Sequence, residues 1–237
     1  MIQVALCPSE IRRISTTDLS EVTAVVFDVL RATSSIITGL ASGVEAIIPV
    51  RTVEEARARK LKDPDLLLAG ERYGLPPEGF DLGNSPEEFE ELKGRRVVMT
   101  TTNGTTAIES VRTASKVLIG ALLNIDALAD YLFTHPPKSL LLVCAGTGEE
   151  FSLEDAIAAG ALVTRLSDDQ RLSDSAMITR SLYEQVGDNL DEWLRQTQNG
   201  KQLRKIGKDP DITWCARLSV FDLVVQLKGE EVIGSTE

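Results

Sequence analysis

The sequence is poor in aromatic residues, histidine and cysteine, and each scarcity removes a class of chemistry. Aromatics make up 5% of the 237 residues, so a core built from this chain has to be mostly aliphatic and alanine. The single histidine, His135, stands in Thr134-His135-Pro136-Pro137, a connector ahead of an expected strand, and is read as a surface residue. That leaves no His-based triad and no HExxH zinc site. The three cysteines, Cys7, Cys144 and Cys215, form no CxxC pair; an odd, unpaired set fits a reduced, cytoplasmic setting. No apolar run approaches the ~20 residues of a membrane span. The N-terminal Met-Ile-Gln-Val-Ala-Leu-Cys lacks the basic start of a signal peptide. A GxxxxGK[ST] P-loop and a strand-associated GxGxxG are also missing.

Positive charge is in deficit too. Against 36 acidic residues there are 25 Lys and Arg, a formal net charge of -11. Such a field repels nucleic acid and anionic lipid, so neither is expected as a partner. It also repels an anionic metabolite. An enzyme for one therefore needs local positive charge from arginines, helix N-termini or a bound cation.

What is present is an alternation of short β-branched runs with helix-patterned segments, the signature of a sheet covered on both faces by helices. The length suits one α/β domain over 1–237 or two tightly joined lobes. Strands are expected at Gln3–Leu6, Ala24–Val29, Ala46–Val50, Leu66–Ala69, Arg96–Thr100, Lys116–Ile119, Ser139–Cys144 and Leu223–Leu227. Pro49 argues that the third is an edge strand. Gly229-Glu230 reads as a terminal hairpin turn. Residues 168–211 are polar and mostly helical in pattern, an appended helical section.

Four polar clusters follow expected strands: Asp28 and Arg31; Glu71 and Arg72; Thr101 to Gly104; and Cys144 with Gly146-Thr147-Gly148. In open α/β sheets ligands bind outside the carboxyl ends of the strands, so these clusters would share one crevice if their strands were parallel neighbours. Asp28 suits a Mg²⁺ ligand or nucleophile, or simply a helix cap. Position 30 is Leu, where a haloacid-dehalogenase motif has a second Asp, which disfavours a phospho-aspartyl route. Position 150 is Glu, where a Cys-x5-Arg phosphatase loop needs Arg, so Cys144 is read as a small buried residue. The Thr101–Thr106 turn opens an expected helix and offers N–H and hydroxyl donors to an oxyanion, or else it only caps that helix. Ser152 with Asp155 resembles a capping box; alternatively Glu154 or Asp155 joins Asp28 around Mg²⁺, with Asp209 and Asp211 weaker candidates. The 70–85 loop, with four glycines and two prolines, is long enough to be functional.

Taken together, Phe27–Thr33, Gly70-Glu71-Arg72, Gly79–Pro86, Thr101–Thr105 and Cys144–Gly146 with Ser152–Asp155 resemble the 2-phosphosulfolactate phosphatase family of coenzyme M biosynthesis, in the family's order. The resemblance implies a three-layer α/β/α sandwich around a mostly parallel or mixed sheet. It implies Mg²⁺ dependence and hydrolysis of (R)-2-phospho-3-sulfolactate to 3-sulfolactate and phosphate. On that basis Asp28, Glu71 and Arg31 are the expected catalytic residues. Arg31, Arg72, Asn84, Thr102, Asn103, Gly104 and Thr105 are expected to bind substrate, and Asp28, Glu154 and Asp155 to hold the metal. The alternatives are another small phosphorylated hydroxy acid as substrate, or a non-catalytic binder of such an anion. A homodimer is expected from base rates alone.

Overall fold

The computed structural model describes residues 1–166 and 171–235. Among these residues one sheet is formed by β1 (Ile2–Ala5), β2 (Val22–Phe27), β3 (Ala46–Pro49), β4 (Leu67–Gly70), β5 (Arg96–Thr100), β6 (Lys116–Gly120), β7 (Ser139–Cys144), β8 (Val224–Lys228) and β9 (Glu231–Ser235). Its spatial order is β1-β7-β2-β6-β8-β9-β3-β5-β4. β1, β7, β2 and β6 pair in parallel, and so do β3, β5 and β4. The C-terminal hairpin β8–β9 turns at Gly229, with φ at 63°. It sits between the two parallel sets and pairs antiparallel on both sides. Three successive antiparallel pairings mean that the two sets run in opposite directions.

The period-2 alternation of the strands feeds buried clusters on both faces of the sheet, with Ile48, Val50, Leu66, Leu68 and Val98 forming a smaller one at the β3–β5–β4 side. Val25, Phe27, Leu118, Leu140 and Leu142 face the helices Ile125–Thr134 and Leu153–Leu166. Their neighbours Ala24, Val26, Ile119, Leu141 and Val143 face the helices Ala32–Ala41 and Gly104–Ser110. The result is a three-layer α/β/α sandwich, with aliphatic side chains contributing roughly 1.5–3 kcal/mol each on full burial. Small residues let helices approach closely. At Gly160 an added Cβ would lie 2.0 Å from the Thr179 carbonyl oxygen, so the helix Asp174–Val186 packs directly on Leu153–Leu166.

Two expectations are corrected. Pro49 does not mark an edge: β3 is internal, between β9 and β5. Its pairing with β9 is confined to Ile47 and Val232, so the missing N–H of Pro49 falls beyond the paired stretch. The helices Pro8–Ile14 and Asp209–Cys215 were not anticipated, although each carries a proline in its first turn. The helical section expected from residue 168 is present as Asp174–Val186, Leu190–Gln196 and Gln198–Lys205; residues 168–170 lie outside the described residues.

Candidate active site

The four strand-end clusters come together, but not as parallel neighbours. Phe27 of β2 is registered with Cys144 of β7, and Gly70 of β4 with Thr100 of β5. β6, β8, β9 and β3 separate the two pairs. The carboxyl ends of the two oppositely directed sets nevertheless meet. The contact is direct. Asn103 donates from Nδ2 to the carbonyls of Ala145 and Gly148 at 2.9 and 2.8 Å, and its Oδ1 accepts from the Gly148 amide at 3.0 Å. Gly104 lies so close to Asp28 that a Cβ there would stand 2.5 Å from Oδ2.

Four carboxylates define the electrostatics. Asp28 is buried at the end of β2, and its Oδ1 accepts from the Ala32 amide at 3.2 Å. Burial pushes its carboxyl from an ordinary 3.8 up to about 7, with Glu71 and Glu154 adding repulsion against the pull of the Ala32 and Gly104 amides. No lysine or arginine pairs with it among the described residues. Asp155 spends both oxygens on backbone amides, Val29 at 2.8 Å and Gly146 at 3.1 Å, and so fastens the end of β2 to the end of β7. Burial, then Asp28 and Glu154, hold its carboxyl well above the usual range. Glu154 is also raised by burial, and accepts from Asn199 Nδ2 at 2.6 Å. Glu71 joins two loops, accepting from the amides of Thr102 at 2.8 Å and Gly74 at 2.9 Å.

The basic and neutral candidates divide. Arg31 is buried on the cleft wall; Nη1 donates to Asp211 Oδ2 at 2.5 Å and Nη2 to the Gly74 carbonyl at 3.0 Å. Arg72 turns inward, giving Nη1 to the Glu71 carbonyl at 2.6 Å and Nη2 to Thr100 Oγ1 at 3.0 Å. Thr105 is buried in a reciprocal pair with Thr101, each hydroxyl accepting from the other's amide at 2.9 and 3.0 Å. The amides of the Thr100–Thr105 turn are thus largely taken by the chain's own oxygens. Asn84 is 3% exposed, and its Oδ1 has no hydrogen-bond partner among the described residues.

A cleft of about 690 Å³ opens over these groups, lined by Asp28, Arg31, Glu71, Asn84, Thr102 and Asn103 on the sheet side. Arg72, Thr105, Glu154 and Asp155 are not among its lining residues; Arg72, Thr105 and Asp155 are bonded to the backbone near it, and Glu154 to the Asn199 side chain. The opposite wall is the helix Gln198–Lys205, which brings Lys201 and Lys205 to the cleft. Cys144 is buried, and burial pushes its thiol well above the ordinary value, the reverse of what a thiolate nucleophile needs.

A family model described as 2-phosphosulpholactate phosphatase matches residues 9–230. The chain belongs to this family. A Thermotoga maritima protein named "Probable 2-phosphosulfolactate phosphatase" is 42% identical over 207 residues, covering 86% of this chain and 88% of that one. Proteins of the same name from Caldanaerobacter subterraneus and Clostridium acetobutylicum are 41% and 38% identical, each over 89% of this chain and 90% and 92% of their own. As a member of the 2-phosphosulfolactate phosphatase family, the chain is a phosphoric monoester hydrolase. No helix among the described residues is long and apolar enough to cross a membrane.

For this phosphatase, sequence reasoning missed the wall opposite the sheet. Asn199 donates from Nδ2 to Thr147 Oγ1 at 2.8 Å as well as to Glu154, pinning the helix beside the β7 loop. In the sequence, Gln198 to Lys205 reads like any solvated polar helix. Only the i, i+4 spacing of Lys201 and Lys205 hints at a single basic face.

Proposed function

We propose that this chain hydrolyses (R)-2-phospho-3-sulfolactate to 3-sulfolactate and phosphate, with Mg²⁺ as cofactor and Asp28 as the central catalytic residue. The observation that carries the reading is the unpaired Asp28 carboxylate in the cleft, with a proton affinity near neutrality and two further carboxylates acting on it.

Among the described residues no group of three or more His, Cys, Asp or Glu side chains is placed to hold a metal by itself. Mg²⁺ fits such a donor set nonetheless, because it is commonly bound through one or two carboxylates while water and phosphate oxygens complete its shell. Asp28 and Glu71, the carboxylates that line the cleft, would hold it. Bound there, it would neutralise charge on the phosphoryl oxygens.

The protein's own part is positioning and proton handling. Asp28 would be ionised while it holds the metal, and either it or Glu71 would orient or deprotonate the attacking water. Water oxygen bonds to phosphorus, the ester P–O bond breaks, and the departing sulfolactate oxygen takes up the proton that the attacking water gave up. Two bonds anchor the Arg31 guanidinium, and its remaining N–H groups suit substrate oxygens. Thr102 and Asn103, which line the cleft beside Asp28, would border the phosphoryl group, and the Asn84 Oδ1, without a partner among the described residues, suits a donor such as bound water.

Phosphate release from 2-phospho-3-sulfolactate and from a panel of phosphorylated hydroxy acids, with Mg²⁺ and with EDTA, tests this reading. Turnover should be greatest on the sulfonated ester and should vanish in EDTA. Tight binding without release of phosphate from any of them would leave a binder and refute the enzyme.

A further inference from the structure

The helix Gln198–Lys205 lies across the cleft as a bar held at both ends. Near its start Asn199 is bonded to Thr147 and Glu154. Just past its end Ile206 packs on Gly74, where an added Cβ would meet Ile206 Cδ1 at 3.0 Å. The bar therefore runs from the β7 loop to the loop after β4. Between these supports Lys201 and Lys205, one turn apart, line the cleft.

Both lysines are solvent-exposed. Neither has an ion pair or side-chain hydrogen bond among the described residues, whereas Arg31, Arg59, Arg96 and Arg195 each hold a carboxylate. They also border a shallower hollow with Arg204 and Asp209. There Arg204 already pairs with Asp209 at 3.3 Å, so the lysines stay unneutralised. In a chain of net charge -11, two cations without an ion pair among the described residues, lining the same cleft as Asp28 and Glu71, are a local reversal of field. Such a reversal attracts an anion to one side of the cleft.

We propose that Lys201 and Lys205, which line the same cleft as Asp28, form the subsite that selects the sulfonate of the substrate. The inference rests on the phosphatase reading for the identity of the ester. Ligand chemistry favours the sulfonate over the carboxylate. Lysine is a compact point charge with rotatable donors, suited to the three-oxygen face of a sulfonate, whereas the planar fork of Arg31 suits a planar carboxylate.

The test compares 2-phospho-3-sulfolactate with 2-phospholactate, which lacks only the sulfonate, in wild type, Lys201→Gln, Lys205→Gln and the double variant. Each single change should raise KM for the sulfonated ester about tenfold, the loss expected for one charged hydrogen bond. Its kcat, and both constants for 2-phospholactate, should stay within roughly threefold, so that selectivity collapses. Equal losses on both esters, or no loss on either, would overturn the subsite. Calorimetric titration with 3-sulfolactate and with lactate reads the same subsite without turnover. Absence of phosphate release from wild type therefore counts against the phosphatase reading alone. Equal affinity of wild type and double variant for 3-sulfolactate overturns the lysine assignment itself.

Discussion

Arg31 Nη1 donates to Asp211 Oδ2 at 2.5 Å, joining two side chains that are 3% and 4% exposed. The other oxygen of Asp211 accepts from Ser85 Oγ at 2.5 Å. One carboxylate thus ties the cleft wall after β2 to the start of the helix Pro86–Phe89 and to the C-terminal helix Asp209–Cys215.

Removing that carboxylate should be costly. Asp211→Ala leaves a buried guanidinium without its counter-charge, and breaking a buried pair from one side costs about 3–5 kcal/mol. Urea unfolding should show a loss of that order. An unchanged midpoint would mean that the pair contributes nothing to the fold.

Asp28 predicts the pH behaviour. Its folded carboxyl, at about 7, lies above the ordinary 3.8, so the native state holds the proton more tightly than the unfolded chain. The stability this supplies is complete below the unfolded value and is lost as pH rises through about 7. Asp28→Asn should flatten that decline, be the more stable protein at pH 8, and lose turnover while keeping its circular dichroism spectrum. Urea midpoints across pH 4–8 for both proteins, with initial rates, decide it. A normal rate in Asp28→Asn removes this residue from the mechanism.

Gly104→Ala probes the closeness of β5 to β2. The new methyl would stand 2.5 Å from Asp28 Oδ2 and 2.6 Å from Ala32 Cβ, so the carboxylate has to move. Displacement on the ångström scale costs about a hundredfold in rate. kcat should fall by that order, with a lower Tm. Wild-type kinetics would show that the turn yields freely.

Asn199→Ala removes the donor that serves both Thr147 and Glu154. Glu154 would remain buried with one partner fewer, at a cost of about 1–3 kcal/mol. The helix Gln198–Lys205 would lose its anchor at the β7 loop. Faster amide exchange over 198–205 and a higher KM are expected; unaltered exchange there would refute the anchoring role.

Much of the fold was legible because it is written in short-range periodicity. β-branched runs such as Ala24–Phe27 and Lys116–Ile119 alternate with helical patterns, and each strand's alternation prescribes two buried faces. The Gly229 turn was equally local, since a tight hairpin announces itself in two residues. What these signals lack is the place of the hairpin. Strand order is a long-range choice, and the sequence of β8–β9 carries no mark that it enters the sheet between β6 and β3.

The same division holds in the site, where the strand-end position of Asp28, Arg31, Glu71 and Asn103 and the membership of the family were readable from motifs in the sequence alone. Only tertiary structure decided which of them meet and what each is free to do. It turned Arg72 toward Thr100, gave both oxygens of Asp155 to backbone amides, and left the carboxylate of Asp28 without a cationic partner among the described residues. It also brought Lys201 and Lys205 across the cleft. The physical reason is that residue type sets which bonds a side chain can make, whereas partners far apart in the chain compete for those bonds only after twist and packing have brought them within reach.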